Sequence, residues 1–339
     1  MKAVVLRGAG DLRVETMPDP VPGPGEIVLR VREVGICGSD LHFYHQDGGT
    51  TIDASSPLIL GHEFSAEVIE GGGAPDLAPG RVVAVEPARP CGRCEWCLGG
   101  DPNLCQVQKF AGTPGGVPGA LAEYHAAPVD TIIPVPPEFD AATAALLEPL
   151  GVAVHALDLA HLRPLDSVAV VGAGPIGLMT AQVARASGAG RVFVIDPLRY
   201  RLDAARRFEV DGVAEAPADV VRWTGGRGVD VVLEATDAPS GADAAVELAR
   251  PGGRVVLIGI PSGDAVSLKA SVARRKGLTL KFQRRMGRVY PRAIELVRTA
   301  RVRLGPLMTH RFPLDRTPEA FALQSARRDG AIKTMIVVS

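Results

Sequence analysis

The stretch from Ser167 to Asp196, SVAVVGAGPIGLMTAQVARASGAGRVFVID, constrains this chain more than any other. Val168–Val171 is apolar and β-branched, which predicts a buried strand. Gly172-Ala173-Gly174-Pro175-Ile176-Gly177 makes a tight turn, and Leu178–Ser187 continues with helical periodicity. Gly188 to Gly190 stops that helix, and Arg191–Ile195 is a second strand closing on Asp196, 19 residues beyond Gly177. Each glycine has its own reason. The first allows the sharp turn, the second lets backbone approach a pyrophosphate, and the third lets helix and strand pack closely. The pyrophosphate would sit on the helix N-terminus, where free N–H groups and the helix dipole favour anions. An acid at the end of the second strand can accept from ribose hydroxyls, so the stretch predicts a dinucleotide-binding βαβ unit.

At 339 residues the chain has room for two domains, each with its own core. Hydrophobic residues at 46% and charged residues at 22% are ordinary for a soluble globular protein. A formal charge of −1 gives no electrostatic case for nucleic acid or an anionic membrane. The opening MKAVVLRGAG has too short an apolar run for a signal peptide, and a cytoplasmic protein is expected. Of the five cysteines, Cys91, Cys94, Cys97 and Cys105 fall within 15 residues and Cys37 stands apart. An odd count without a signal peptide points to thiolate chemistry rather than disulfides.

Lys2–Leu6 and Leu12–Glu15 read as short strands and Glu26–Val34 as a strong one. Short strands and Gly/Pro turns continue to about residue 135, predicting a β-rich domain over 1–150. Helical spacing returns at Ala141–Leu147 and Val152–Leu162. Strands and helices then alternate to about Lys281, with strands at Val229–Glu234 and Arg254–Ile260 and a helix at Ala242–Ala249 between them. That is the rhythm of a doubly wound parallel sheet, assigned to 151–289. A helix at Pro291–Thr299 and a closing strand at Thr334–Val338 belong to a return, about 290–339, that rejoins the β-rich domain.

Cys91-x2-Cys94-x2-Cys97-x7-Cys105 offers four sulfur ligands on one loop, enough for a closed, structural tetrahedral zinc site. Free thiols or a redox dithiol are the alternatives. A nucleic-acid-reading finger is disfavoured, because Glu95, Trp96, Leu98 and Asp101 are not a basic surface. Cys37 opens Cys37-Gly38-Ser39-Asp40-Leu41-His42, and Gly61-His62-Glu63 follows after a long loop. Cys37, His62 and Glu63 are sulfur, nitrogen and oxygen donors suited to a zinc with one open, catalytic position. On spacing alone, a buried filler cysteine and a satisfied polar histidine are equally good readings.

Taken together, the GHE at 61–63, the CGSD–H segment at 37–42, the four-cysteine loop and the GAGPIG turn resemble the zinc-containing medium-chain dehydrogenases. The resemblance covers essentially the whole chain, and the sorbitol (polyol) dehydrogenases look most similar, Glu148-Pro149-Leu150-Gly151-Val152-Ala153-Val154-His155 matching their segment. It implies a GroES-like catalytic domain beside a Rossmann domain. It also implies two zinc ions, one structural on Cys91, Cys94, Cys97 and Cys105, and one catalytic on Cys37, His62 and Glu63. Glu148 would reach the catalytic zinc directly or through its water. Alcohol dehydrogenases of the superfamily have a second cysteine where this chain has Glu148, which favours the polyol branch. Arg284 to Pro291 is similar to the family's substrate-side run and places Arg285 on its substrate arginine, with Met286 in place of the following aromatic. Phe43 replaces a pocket aromatic that is commonly Tyr. Arg284, Arg285 and Arg288 read equally as a solvated basic face.

The activity so implied is NAD-linked, zinc-assisted hydride transfer from a secondary hydroxyl of a polyol, with Ser39, the ribose hydroxyls and His42 relaying the proton. Without that resemblance Ser39 reads as a turn or cap and His42 as a packed surface residue. Asp196 repels a 2′-phosphate and accepts from a 2′-OH, favouring NAD, and Arg201 matches a family arginine near the adenine ribose. Family members are commonly tetramers or dimers, so a homo-oligomer is expected. A threonine or vicinal-diol dehydrogenase is the rival enzyme, and a silent NAD-binding sensor or structural protein the rival of another class.

Overall fold

The long strand Glu26–Gly35 is buried on alternate positions from Leu29 to Glu33, the signature of a strand with one face on a core, and buried throughout Glu33–Gly35. In the computed structural model, which describes residues 1–46, 52, 56–70, 75–263 and 265–339, it is the centre of a seven-stranded sheet. The chain divides into two compact units, Met1–Glu148 with Met308–Ser339, and Pro149–Leu307.

In the first unit the sheet runs in the order Ile132–Pro134, Val82–Val85, Glu63–Val68, Glu26–Gly35, Lys333–Val337, Met308–Pro313, with Tyr124–Pro128 also on the central strand. Gly35 is a junction, pairing with Glu63 on one side and Met335 on the other. Leu29, Val31, Val34, Phe64, Ala66, Val83, Phe321 and Ile336 form the core beneath it. The return to this unit begins at Met308 rather than about residue 290, because the helix Tyr290–Arg298 belongs to the second unit.

The second unit holds a six-stranded, wholly parallel sheet. Its strands, Ser167–Val171, Arg191–Ile195, Gly212–Ala214, Val229–Glu234, Ala249–Leu257 and Thr279–Phe282, taken as 1 to 6, lie in the order 3-2-1-4-5-6. That order reverses direction between strands 1 and 4, where such sheets bind ligands at their carboxyl ends. Val229–Glu234 is buried at every position, as a central strand covered on both faces must be. Three boundaries differ from the sequence reading. The helix of the glycine motif starts at Pro175 instead of Leu178, since proline at a first-turn position needs no N–H partner. The fifth strand spans Ala249–Leu257 instead of 254–260. The helix expected at Val152–Leu162 is Leu147–Ala160, so Glu148 lies in its first turn.

Candidate metal centres and dinucleotide site

Cys37 precedes the helix Gly38–His45, and its backbone N–H donates to Asp40 Oδ2 at 2.9 Å. The same helix carries Ser39, His42 and Phe43, the last packed in part against the first unit's core. His62 and Glu63 enter from the Gly61 turn, where φ is 93° and a Cβ would lie 2.9 Å from Val34, so a glycine is required. One donor atom from each of Cys37, His62 and Glu63 lies within 4.8 Å of the others. His62 and Glu63 are buried, at 4% and 1% exposure.

Around these three stand further residues, of which the sequence reading singles out only Ser39 for a role. Asp40 is fully buried, with Oδ1 3.4 Å from His62 Nδ1 and 3.3 Å from the Gly61 N–H that donates to it. On the other ring nitrogen, Ser39 Oγ lies 3.4 Å from His62 Nε2. Phe110 stacks at a tilt 5.2 Å from the His62 ring. Burial opposes a charge on His62, but attraction to Asp40 and to Cys37 outweighs it and raises its pKa well above the usual histidine range. Lys333, 2% exposed, contacts the Glu63 carboxylate and donates to the Ile36 carbonyl at 2.9 Å. Burial again opposes that charge, and Glu63 and then Cys37 hold the ammonium protonated. Gly35 makes the room, since a Cβ there would collide with the Glu63 carboxylate. Ser39 and Asp40 both stand inside the CGSD segment, whereas Phe110 and Gly35 carry no motif and Lys333 arrives from a strand nearly 300 residues away.

A soft, a borderline and a hard donor gathered in a buried site fit a zinc ion better than an alkaline-earth ion, with fewer than four protein ligands to fill its coordination. Glu148 is buried at 5% exposure but is not one of the converging donors.

The second cluster is separate within the same unit. One sulfur each from Cys91, Cys94, Cys97 and Cys105 falls within 4.8 Å of the rest, with Cys94 and Cys97 at 3.5 Å and Cys91 and Cys97 at 4.0 Å. Tetrahedral Zn–S bonds of about 2.3 Å imply sulfur edges of about 3.7 Å, which these pairs bracket. The Cys91 thiol is pulled down to about 6 by the backbone N–H groups of Arg93 and Cys94, whereas burial pushes Cys97 up to about 11. One thiolate ready for a cation and one that a cation must deprotonate suit a site whose assembly releases protons.

In the second unit the glycine turn has distinct geometry at each position. Gly172 has φ of 100°, and a Cβ would lie 2.7 Å from the Ala235 carbonyl. A Cβ on Gly177 would collide with the Gly172 carbonyl. At Gly174, by contrast, the nearest atom to such a Cβ is Arg201 Nη1 at 3.9 Å, so that face is open to a ligand. Asp196 is 3% exposed, and both its oxygens already accept backbone N–H groups at 2.8 Å, Oδ2 from Ala173 and Oδ1 from Leu198. Arg201 Nη1 lies 3.5 Å from Oδ2. The acid is therefore locked into the glycine turn, with Oδ2 shared between Ala173 and Arg201 and one lone pair left on Oδ1.

Arg285 lies in the second unit with φ of 50°. Met286 is 2% exposed and fills the notch left by Gly151, where a Cβ would collide with its Sδ. A flexible sulfur side chain suits that narrow seat against Gly151.

Residues 23–137 match the family model for the alcohol dehydrogenase GroES-like domain, and residues 175–299 that for zinc-binding dehydrogenase. Sorbitol dehydrogenase of Bacillus subtilis is 33% identical over 99% of this chain and 97% of its own length. A probable D-xylulose reductase A of Aspergillus clavatus is 35% identical over 98% and 95%. Among solved structures, a putative zinc-binding dehydrogenase of Sinorhizobium meliloti 1021, bound to NADP, superposes with a TM-score of 0.88 at 30% identity, covering 99% of this chain and 98% of that one. The 2R,3R-butanediol dehydrogenase of Bacillus subtilis gives 0.86 at 27% identity, covering 99% of each. No helix among the described residues is long and apolar enough to cross a membrane. With a GroES-like unit, a Rossmann unit and relatives matched over nearly its full length, the chain belongs to the zinc-containing medium-chain dehydrogenases, the family of the sorbitol dehydrogenases.

Proposed function

We propose that this chain catalyses the reversible, NAD-linked oxidation of a secondary hydroxyl of a sorbitol-, xylitol- or iditol-type polyol to a ketose. The observation that carries the proposal is the buried convergence of Cys37, His62 and Glu63 in a chain aligned end to end with sorbitol dehydrogenases. Cys37, His62 and Glu63 would hold a catalytic zinc, Glu148 would assist directly or through water, and Cys91, Cys94, Cys97 and Cys105 would hold a structural one. When bound, the catalytic zinc supplies Lewis acidity that lowers the pKa of a hydroxyl, and the nicotinamide accepts hydride.

The chain's own residues do the rest. Asp40 orients His62 from behind, as acids behind ligating histidines do, and Lys333 neutralises the buried Glu63. Ser39, beside the His62 ring, receives the hydroxyl proton, and His42 passes it on. Gly172, Gly174, Pro175, Ile176 and Gly177 seat the pyrophosphate at the helix start, and Asp196 with Arg201 seats the adenine ribose. Asp196 favours a free 2′-OH, hence NAD, although the Sinorhizobium neighbour was solved with NADP. Arg285 and Phe43 keep the substrate-contact roles that the family resemblance implies for them. We further infer a homo-oligomer, dimer or tetramer, working in the cytoplasm.

The butanediol dehydrogenase neighbour supports a second reading, a vicinal-diol substrate, and threonine is the further alternative. A panel of sorbitol, xylitol, butane-2,3-diol and threonine, each with NAD and with NADP, tests both. Highest kcat/KM for a polyol with NAD is expected. Preference for butanediol or threonine would move the substrate assignment, and equal turnover with NADP would overturn the role given to Asp196.

A further inference from the structure

Between the strand Thr279–Phe282 and the helix Tyr290–Arg298 the chain makes a turn in which Arg285 is held at φ of 50°, a region that side-chain-bearing residues rarely adopt. Such a conformation persists only where surrounding contacts over-determine it. Two do so, and both reach the helix Leu147–Ala160. Gln283 Nε2 donates to the Val152 carbonyl at 2.8 Å and to the Arg285 carbonyl at 2.7 Å. Using both amide hydrogens fixes which end of the side chain is nitrogen. The Gln283 backbone N–H donates to the Leu257 carbonyl at 2.9 Å, anchoring the residue to the end of the parallel sheet. On the far side of Arg285, Met286 is seated in the Gly151 notch, one residue before Val152. The arginine's backbone is thus gripped before and after by one helix turn. Gln283 Oε1 is buried without a hydrogen-bond partner among the described residues, so whatever the side chain contributes rests on Nε2 alone.

We propose that Gln283 is the positioning residue for Arg285: it locks the left-handed turn that sets where the guanidinium is presented, and through it the enzyme's selectivity for hydroxylated substrates. The proposal rests on reading Arg285 as a substrate contact. Gln283 itself touches neither substrate nor cofactor.

A double-mutant cycle tests it, with wild type, Gln283→Leu, Arg285→Ala and the double variant of the zinc-loaded enzyme. The substrate is whichever alcohol of the panel gives the highest kcat/KM. Gln283→Leu should raise its KM about tenfold, the equivalent of roughly one hydrogen bond, with kcat within about twofold. The dinucleotide Kd from calorimetric titration should stay unchanged. In the Arg285→Ala background the same change should leave KM unaltered. Equal KM effects in both backgrounds, or a joint loss of kcat, dinucleotide affinity and melting temperature, would overturn the proposal and make Gln283 a merely structural residue. Amide hydrogen exchange over residues 283–288, which needs no turnover, separates the two failures. Faster exchange in Gln283→Leu with no Arg285-dependent KM effect would mean that the turn is held but Arg285 is not the substrate contact. Unchanged exchange would sink the clamp itself.

Discussion

Lowering the pH from 7 to 5 should weaken the first unit through His125, a residue outside both metal clusters. Its ring is 5% exposed on the strand Tyr124–Pro128, stands edge-on to Phe64 with centroids 4.9 Å apart, and donates to the Gly119 carbonyl. Burial, and then the positive charge of Arg89, pull its pKa from 6.5 to about 4. The unfolded chain therefore takes up this proton at higher pH than the folded one. Stability is intact above about pH 7, falls through the window from 6.5 to 4, and levels off below it. With those two values the loss between pH 7 and pH 5 is about 2 kcal/mol, and it reaches about 3 kcal/mol at pH 4. His125→Gln keeps a donor for Gly119 and removes the titration. Urea unfolding of both proteins at pH 7 and pH 5 supplies the comparison, and the carboxylates and metal donors that both share cancel in the subtraction. Wild type should lose about 2 kcal/mol more than the variant. Equal losses would refute the reasoning, because the folded ring would then be titrating as it does in water.

Gly177→Ala should drive the new methyl into the Gly172 carbonyl, cost about 1–3 kcal/mol of stability and weaken dinucleotide binding about tenfold or more, read by calorimetry; wild-type affinity would contradict the close-packing argument. Lys333→Met removes the cation from a buried carboxylate, and denaturant unfolding in the presence of chelator should show a loss of about 3–5 kcal/mol. Cys97→Ser should lower bound zinc from two to one equivalent per chain by elemental analysis and depress the melting temperature; an unchanged zinc content would remove the four-cysteine site from the argument.

What the sequence made legible and what it hid differ in a physical way. The four-cysteine loop and the GAGPIG turn are written in consecutive residues, because a metal loop and a phosphate turn are both local structures. The Val229–Glu234 strand is readable to the residue, since burial on both faces leaves an apolar run of Val229, Val231, Val232 and Leu233 that only Asp230 interrupts. Lys333 and Gly35 are not readable as partners of Glu63, because only the pairing of Glu26–Gly35 with Glu63–Val68 on one side and with Lys333–Val337 on the other brings them there. No local periodicity encodes that pairing. Met286, which stands where the family's run has an aromatic, has Gly151 as its neighbour in space, a notch that no single-sequence pattern announces. Asp196 likewise reads as an acid awaiting a ribose, whereas its oxygens are first committed to the N–H groups of Ala173 and Leu198.

The junction at Gly35 also dictates an order of events during synthesis. Residues 149–307 form a contiguous unit that can fold as soon as they clear the ribosome. The first unit cannot follow in sequence order, although most of it is made first. Its central strand waits for Lys333–Val337 as a neighbour, and Glu63 waits for the lysine that neutralises it. Until then the nascent chain carries an unpaired strand edge and a set of metal donors with one charge uncompensated. The part of the protein translated first is thus the last to complete its sheet, and the charge balance around Cys37, His62 and Glu63 is complete only once Lys333 arrives.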